Sequence, residues 1–134
     1  MPPKNFAIPS ADKGPEPVSL KAQEKPVSIS LKYWHSGAQC LSDWQHKELA
    51  NLRKLIDKVQ GLTPSQIKND NGLYWKQHKG PPARGFSRPS ALSKDIELCE
   101  LRVSGKARVH GAIFENTFYL VWLDRVHEVF PDGK

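Results

Sequence analysis

Residues 96–130, IELCELRVSGKARVHGAIFENTFYLVWLDRVHEVF, restrict what this chain can fold into more than any other stretch. Apolar residues gather at Ile96, Leu98, Leu101 and Val103, then at Val109, Ile113 and Phe114, then through Phe118, Tyr119, Leu120, Val121, Trp122 and Leu123. Ser104-Gly105 and Glu115-Asn116 separate the three groups and are turn signals. Short β-prone runs joined by such turns pair as hairpins, so an antiparallel meander is expected here. The continuous apolar run of residues 118–123 marks a central strand covered on both faces.

Upstream, the pattern changes period twice. Residues 27–34 (VSISLKYW) alternate apolar and polar, which predicts a half-buried first strand. Across residues 41–59, Trp44, Leu49, Leu52, Leu55, Ile56 and Val59 recur at three- and four-residue steps, which predicts an amphipathic helix capped by Ser42 or Asp43 and ended by Gly61. Thr63-Pro64-Ser65-Gln66 then reads as a second helix start, with threonine at the cap, proline in the first turn and glutamine completing a capping box. That helix should stop within residues 69–72, leaving Leu73-Tyr74-Trp75 as a buried aromatic anchor. Residues 76–93 are rich in Gly, Pro, Ser and cations and predict a basic surface loop. Residues 1–26 hold six of the eleven prolines and few large apolar groups, so they are expected to form a disordered tail ahead of a single domain over residues 27–134. The fold class expected is α+β, with the first strand and two helices packed on a twisted antiparallel meander.

Composition narrows the function classes. The net charge is +6, and residues 72–110 alone carry eight basic residues against Asp95, Glu97 and Glu100, an excess of +5. A concentrated cationic stretch draws a polyanion through phosphate neutralisation and counterion release, although a solvated basic surface has the same composition. No apolar run approaches the roughly 18 residues of a membrane span. The two cysteines, Cys40 and Cys99, show neither a repeated spacing nor a CxxC pair, so reduced cytoplasm is the expected compartment and Cys99 is expected to be a small buried apolar residue. Phosphate loops of the GxxxxGK type and HExxH pairs are missing from the sequence. His35, His46, His78 and His110 show no ligand spacing together, and neither a metal nor another cofactor is expected.

Metal-free RNA cleavage needs a base for the 2′-hydroxyl, cations for the charge building on phosphate, and an acid for the leaving oxygen. Arg102 and Arg108 flank the Ser104-Gly105 turn on neighbouring strands, positions from which they could converge on one phosphate, with Lys106 at the turn itself. His127 is the best proton carrier, because imidazole changes charge near neutral pH. Lys79, Arg84 and Arg88 of the preceding loop are further phosphate-binding candidates, and Tyr74, Trp75 and Phe86 either stack on bases or anchor the core. Glu100 and Arg102, two apart on one strand, share a face and are candidates for cross-strand ion pairs.

The segment Leu98-Cys99-Glu100-Leu101-Arg102-Val103-Ser104-Gly105-Lys106-Ala107-Arg108-Val109, followed by the apolar residues 118–123 and by Arg125-Val126-His127-Glu128, resembles the RelE/ParE superfamily of bacterial toxins. The order strand, helix, meander matches as well, so the resemblance spans residues 27–130. It implies a RelE-like domain and, from YoeB-like members, functional roles for Arg108 and His127. Those relatives have an aromatic after the histidine where this chain has Glu128, and a loop glutamate with no counterpart in residues 87–93; Glu100 or Glu128 is then left as the base. The implied function is a ribosome-dependent endoribonuclease acting on mRNA and neutralised by a cognate antitoxin. The same superfamily includes gyrase-poisoning members, so a non-enzymatic toxin or binding module is the alternative, along with a phage or plasmid accessory protein that has lost activity.

Overall fold

A computed structural model describes residues 23–35 and 41–131. Most of the expected tail lies outside the described residues; of its last four, Glu24 accepts hydrogen bonds from the Ser65 amide and hydroxyl, and the Lys25 amide donates to the Asn116 side chain. The elements are β1 (Ser28–Ser30), α1 (His46–Val59), α2 (Pro64–Asn69), β2 (Lys76–Gln77), β3 (Cys99–Ser104), β4 (Ala107–Phe114) and β5 (Thr117–Asp124), an α+β arrangement.

The strands form one sheet in the order β1-β5-β4-β3-β2. The expected meander is present as β3, β4 and β5, each antiparallel to the next. The sheet as a whole is mixed rather than antiparallel, because β1 runs parallel to β5, pairing Ser28 with Thr117 and Ser30 with Tyr119. The chain leaves β1 through both helices and returns to the far edge, so β5, the last strand, reaches β1 in the same direction. β1 is also shorter than the alternation over residues 27–34 predicts: the backbone turns after Leu31, where the Trp34 amide bonds the Leu31 carbonyl.

The first helix starts later than expected. Leu41–Asp43 forms a separate 3-10 turn, and the cap of α1 is Gln45 rather than Ser42 or Asp43. Glu48 at the third helical position returns a carboxylate to the Gln45 amide at 2.7 Å, so one short turn closes before the helix begins. The cap of α2 is as read from sequence: Thr63 accepts from the Gln66 amide, and Gln66 reaches back to the Thr63 amide.

Two cores sandwich the sheet. On the helix side, Leu52, Leu55, Val59 and Ile67 pack on Leu101, Val109, Phe118, Leu120 and Leu123. On the other side, Leu92, Leu98, Ala112, Val121, Trp122 and Val129 pack with Phe86, Ile96 and Phe130. The loop over residues 78–98 is therefore not a plain surface loop. It covers the second face of the sheet, because its apolar residues Phe86, Leu92, Ile96 and Leu98 are buried or partly buried by packing against Ala112, Val121 and Trp122.

A bulge decides which residues reach that second face. His110 pairs with Trp122 but Gly111 pairs with Leu120, so Val121 is extra, and Val121 and Trp122 both enter the second core while Leu120 and Leu123 stay in the first. The apolar run FYLVWL is two-sided by ordinary strand alternation, and the bulge settles that Trp122 joins Val121 on the second face while Leu123 stays with Leu120 on the first.

Candidate functional site

The second face holds a buried polar cluster made by all of the central strands. Glu100 of β3 stands opposite His110 of β4, and Arg108 of β4 stands opposite Asp124 of β5. His78 arrives immediately after β2, whose pairing with β3 sets Lys76 against Glu100. His127 comes from the turn after β5. The side chains of His78, Glu100, Arg108, His110, Asp124 and His127 are each at most 10% exposed.

Glu100 is at the middle. One carboxylate oxygen, Oε2, lies 3.3 Å from Arg108 Nε. The other, Oε1, faces three imidazoles, with His127 Nε2 at 3.5 Å, His78 Nε2 at 3.6 Å and His110 Nδ1 at 3.8 Å. These separations exceed hydrogen-bonding reach, and Oε1 has no hydrogen-bond partner although it is buried. His78 Nε2 and His110 Nδ1 are 3.0 Å apart and share a hydrogen bond.

Asp124 organises the rim. Its Oδ2 lies 2.7 Å from His110 Nε2, which fixes the ring so that Nδ1 points to the centre. The same carboxylate accepts the amides of Glu128 at 2.9 Å and Val129 at 3.0 Å, folding the turn that carries His127 back over β4. His127 takes a left-handed backbone conformation, φ 59°, in that turn. Burial alone would push the Asp124 carboxyl up, but the hydrogen bonds from His110 and the two amides prevail and hold it below the usual carboxylate range. For His78, burial comes first, and the neighbouring His110, Lys76 and His127 add to it, so its pKa falls from 6.5 to about 3 and the ring is neutral at physiological pH.

Aromatic walls surround the polar centre. His78 lies flat on Phe130, with ring centroids 3.7 Å apart, and Trp122 meets both Phe130 and His110 edge-on. Outside His78 opens a cavity of about 660 Å³, lined also by Lys76, Lys79, Phe130 and Pro131. Two lysines thus stand at the mouth of a cleft whose inner wall is an imidazole.

Of the residues singled out from sequence, the fold brings Glu100, Arg108 and His127 together, while Lys79 lines the cavity outside His78 and touches none of the three. It disperses the others. Arg102 is the register partner of Arg108, but its guanidinium lies over the Tyr74 ring, 4.1 Å from the centroid. Arg108 Nη1 donates to the carbonyls of Gly105 at 2.7 Å and Ala107 at 3.1 Å, so its fork braces the turn and Glu100 instead of meeting Arg102 over a shared anion. Glu100 accordingly pairs with Arg108 across the strands. Lys106 is exposed at the hairpin tip and Arg84 is exposed on the loop. Arg88 ties that loop together by donating to the carbonyls of Ser93 and Ile96. Tyr74 is exposed rather than a buried anchor, and Glu128 is exposed at the site's edge. The Cys99 thiol is buried and pushed up to about 12 by burial, which suits a packing residue.

The expectation that the histidines share no ligand geometry is corrected. His78 and His110, 32 residues apart, approach within hydrogen-bonding distance and with Glu100 form a group able to hold a metal ion. Sequence reading also missed Asp124. Hairpin register was the available signal: a turn at Ser104-Gly105 that pairs Arg102 with Arg108 also sets Glu100 opposite His110. Among the described residues, no helix is long and apolar enough to cross a membrane. Comparison with family models, with curated proteins and with solved structures finds no match for this chain.

Proposed function

We propose that this protein is an endoribonuclease of RelE/ParE-like type, acting on mRNA during translation through acid–base chemistry at the Glu100 cluster, and held in check by a partner antitoxin. The observation that carries this reading is Glu100: a buried carboxylate with one oxygen braced by Arg108 and the other facing three imidazoles without a hydrogen-bond partner. Arg108 holds one oxygen of that carboxylate in place and leaves the other aimed at the imidazoles, the orientation a general base needs. In the proposed reaction Glu100 Oε1 takes the 2′-hydroxyl proton, the 2′-oxygen attacks the adjacent phosphorus, and the bond to the 5′-oxygen breaks as His127 supplies its proton. The products are a 2′,3′-cyclic phosphate and a 5′-hydroxyl. Arg108 is the positioning residue for Glu100, and Lys76 and Lys79 at the cleft mouth draw the phosphate backbone.

Induced expression should slow growth and produce new 5′-hydroxyl ends inside translated messages, mapped by end sequencing. His127→Ala should lower cutting by about a hundredfold or more, the usual scale for losing an acid or a charge-stabilising group, while leaving the folded protein detectable. Growth arrest with intact message would redirect the proposal to a non-cutting toxin.

A further inference from the structure

We propose that His78 Nε2, His110 Nδ1 and Glu100 Oε1 form a binding site for one divalent transition-metal ion of the zinc class. Two ligands about 2.0–2.1 Å from a tetrahedral ion are roughly 3.3 Å from each other. The three atoms stand 3.0, 3.6 and 3.8 Å apart, bracketing that separation. Movements of a few tenths of an ångström bring all three to bonding distance. Two imidazoles with one carboxylate suit zinc, cobalt or nickel, whereas magnesium and calcium demand sets dominated by oxygen.

The surroundings are those of a built site. Asp124 holds the far nitrogen of His110 at 2.7 Å, the carboxylate–histidine support that orients a metal-binding ring. Arg108 holds the far oxygen of Glu100, leaving Oε1 aimed inward with no hydrogen-bond partner. His110 Nε2–H is directed to Asp124, so the proton shared between His110 Nδ1 and His78 Nε2 belongs to His78. A metal ion takes its place when His78 shifts that proton to Nδ1. Three protein ligands leave a fourth position for water, and His127 Nε2, 3.5 Å from Glu100 Oε1, borders the centre.

Binding itself is independent of RNA cleavage. One consequence rests on the nuclease reading: an ion on Glu100 Oε1 occupies the lone pair that takes the 2′-hydroxyl proton, so the loaded protein should cut more slowly than the stripped one.

The test is cobalt titration of the full-length, chelator-stripped protein, followed by visible spectroscopy and thermal melting, with zinc displacement. One equivalent should bind with the intense d–d bands of low-coordinate cobalt and raise the melting temperature. His78→Phe, which preserves the stack on Phe130, and the near-isosteric Glu100→Gln should each weaken binding at least tenfold, and Asp124→Asn by about 10- to 100-fold. His35→Ala and His46→Ala, at exposed histidines outside the cluster, should leave it unchanged. Weak binding without a defined stoichiometry, or binding that survives both His78→Phe and Glu100→Gln in folded protein, would overturn the site. Cobalt binding as described by a protein that never cuts RNA sustains the site and removes the nuclease; RNA cutting by a protein that binds no cobalt does the reverse.

Discussion

Single side chains on the second face of the sheet owe their chemistry to burial. Unfolded His78 takes up a proton near pH 6.5, whereas the folded ring refuses it until about pH 3. With the folded value depressed, the unfolded state binds more protons between these limits, so stability is complete above pH 6.5 and declines as the pH falls towards 3, by about 1.4 kcal/mol per unit. Urea unfolding in chelator should therefore show wild type losing about 2 kcal/mol more than His78→Gln between pH 6.5 and pH 5. Equal losses would mean that the ring is solvated. Cys99 gives a second check on burial. With its thiol near 12, roughly a thousandfold less thiolate exists at pH 8 than at an ordinary cysteine, and alkylation at Cys99 followed by peptide mass spectrometry should be correspondingly slow until the protein unfolds. The sequence shows the type of every residue in the cluster, but only Glu100, Arg108 and His127 stood out, because each lies in a local pattern. His78 follows a two-residue strand, and nothing local ties it to His110.

At the scale of elements, the meander and both helices were legible because hydrophobic period is a local signal, and the cap chemistry of α2, though not of α1, was legible with it. What escaped were the features set by distant pairing: the parallel contact of β1 with β5, the short β2, and a loop that serves as the roof of a second core. Gly111 marks a close approach of two backbones. A Cβ placed there would sit 2.0 Å from the Tyr119 carbonyl oxygen, beside the bulge that sends Val121 and Trp122 to one face. Gly111→Ala should accordingly cost at least about 2 kcal/mol in denaturant unfolding, because relief requires the β4–β5 backbones to separate. A near-neutral result would show that the two strands are not held at this distance. Leu120, on an interior strand and 3% exposed, should cost roughly 2–5 kcal/mol on truncation to alanine, measured the same way. A small loss there would place β5 at an edge.

Across the whole molecule, the sheet divides two tasks. The helix-covered face supplies the larger apolar core, while the loop-covered face carries a desolvated carboxylate, three histidines and an arginine beside a cleft edged by lysines. Placing so many ionisable groups inside is costly for stability alone, since a buried ion pair is often no better than well-packed apolar side chains. Their convergence at one point beside a cleft edged by two lysines is what favours chemistry at Glu100 over a passive basic surface. The most direct test is the single-turnover rate at which purified Glu100→Gln cuts a message engaged in a translation extract, measured beside wild type and with melting temperatures compared. A drop of about a hundredfold or more with the melting temperature held is the predicted result; cutting at the wild-type rate by folded Glu100→Gln would contradict it.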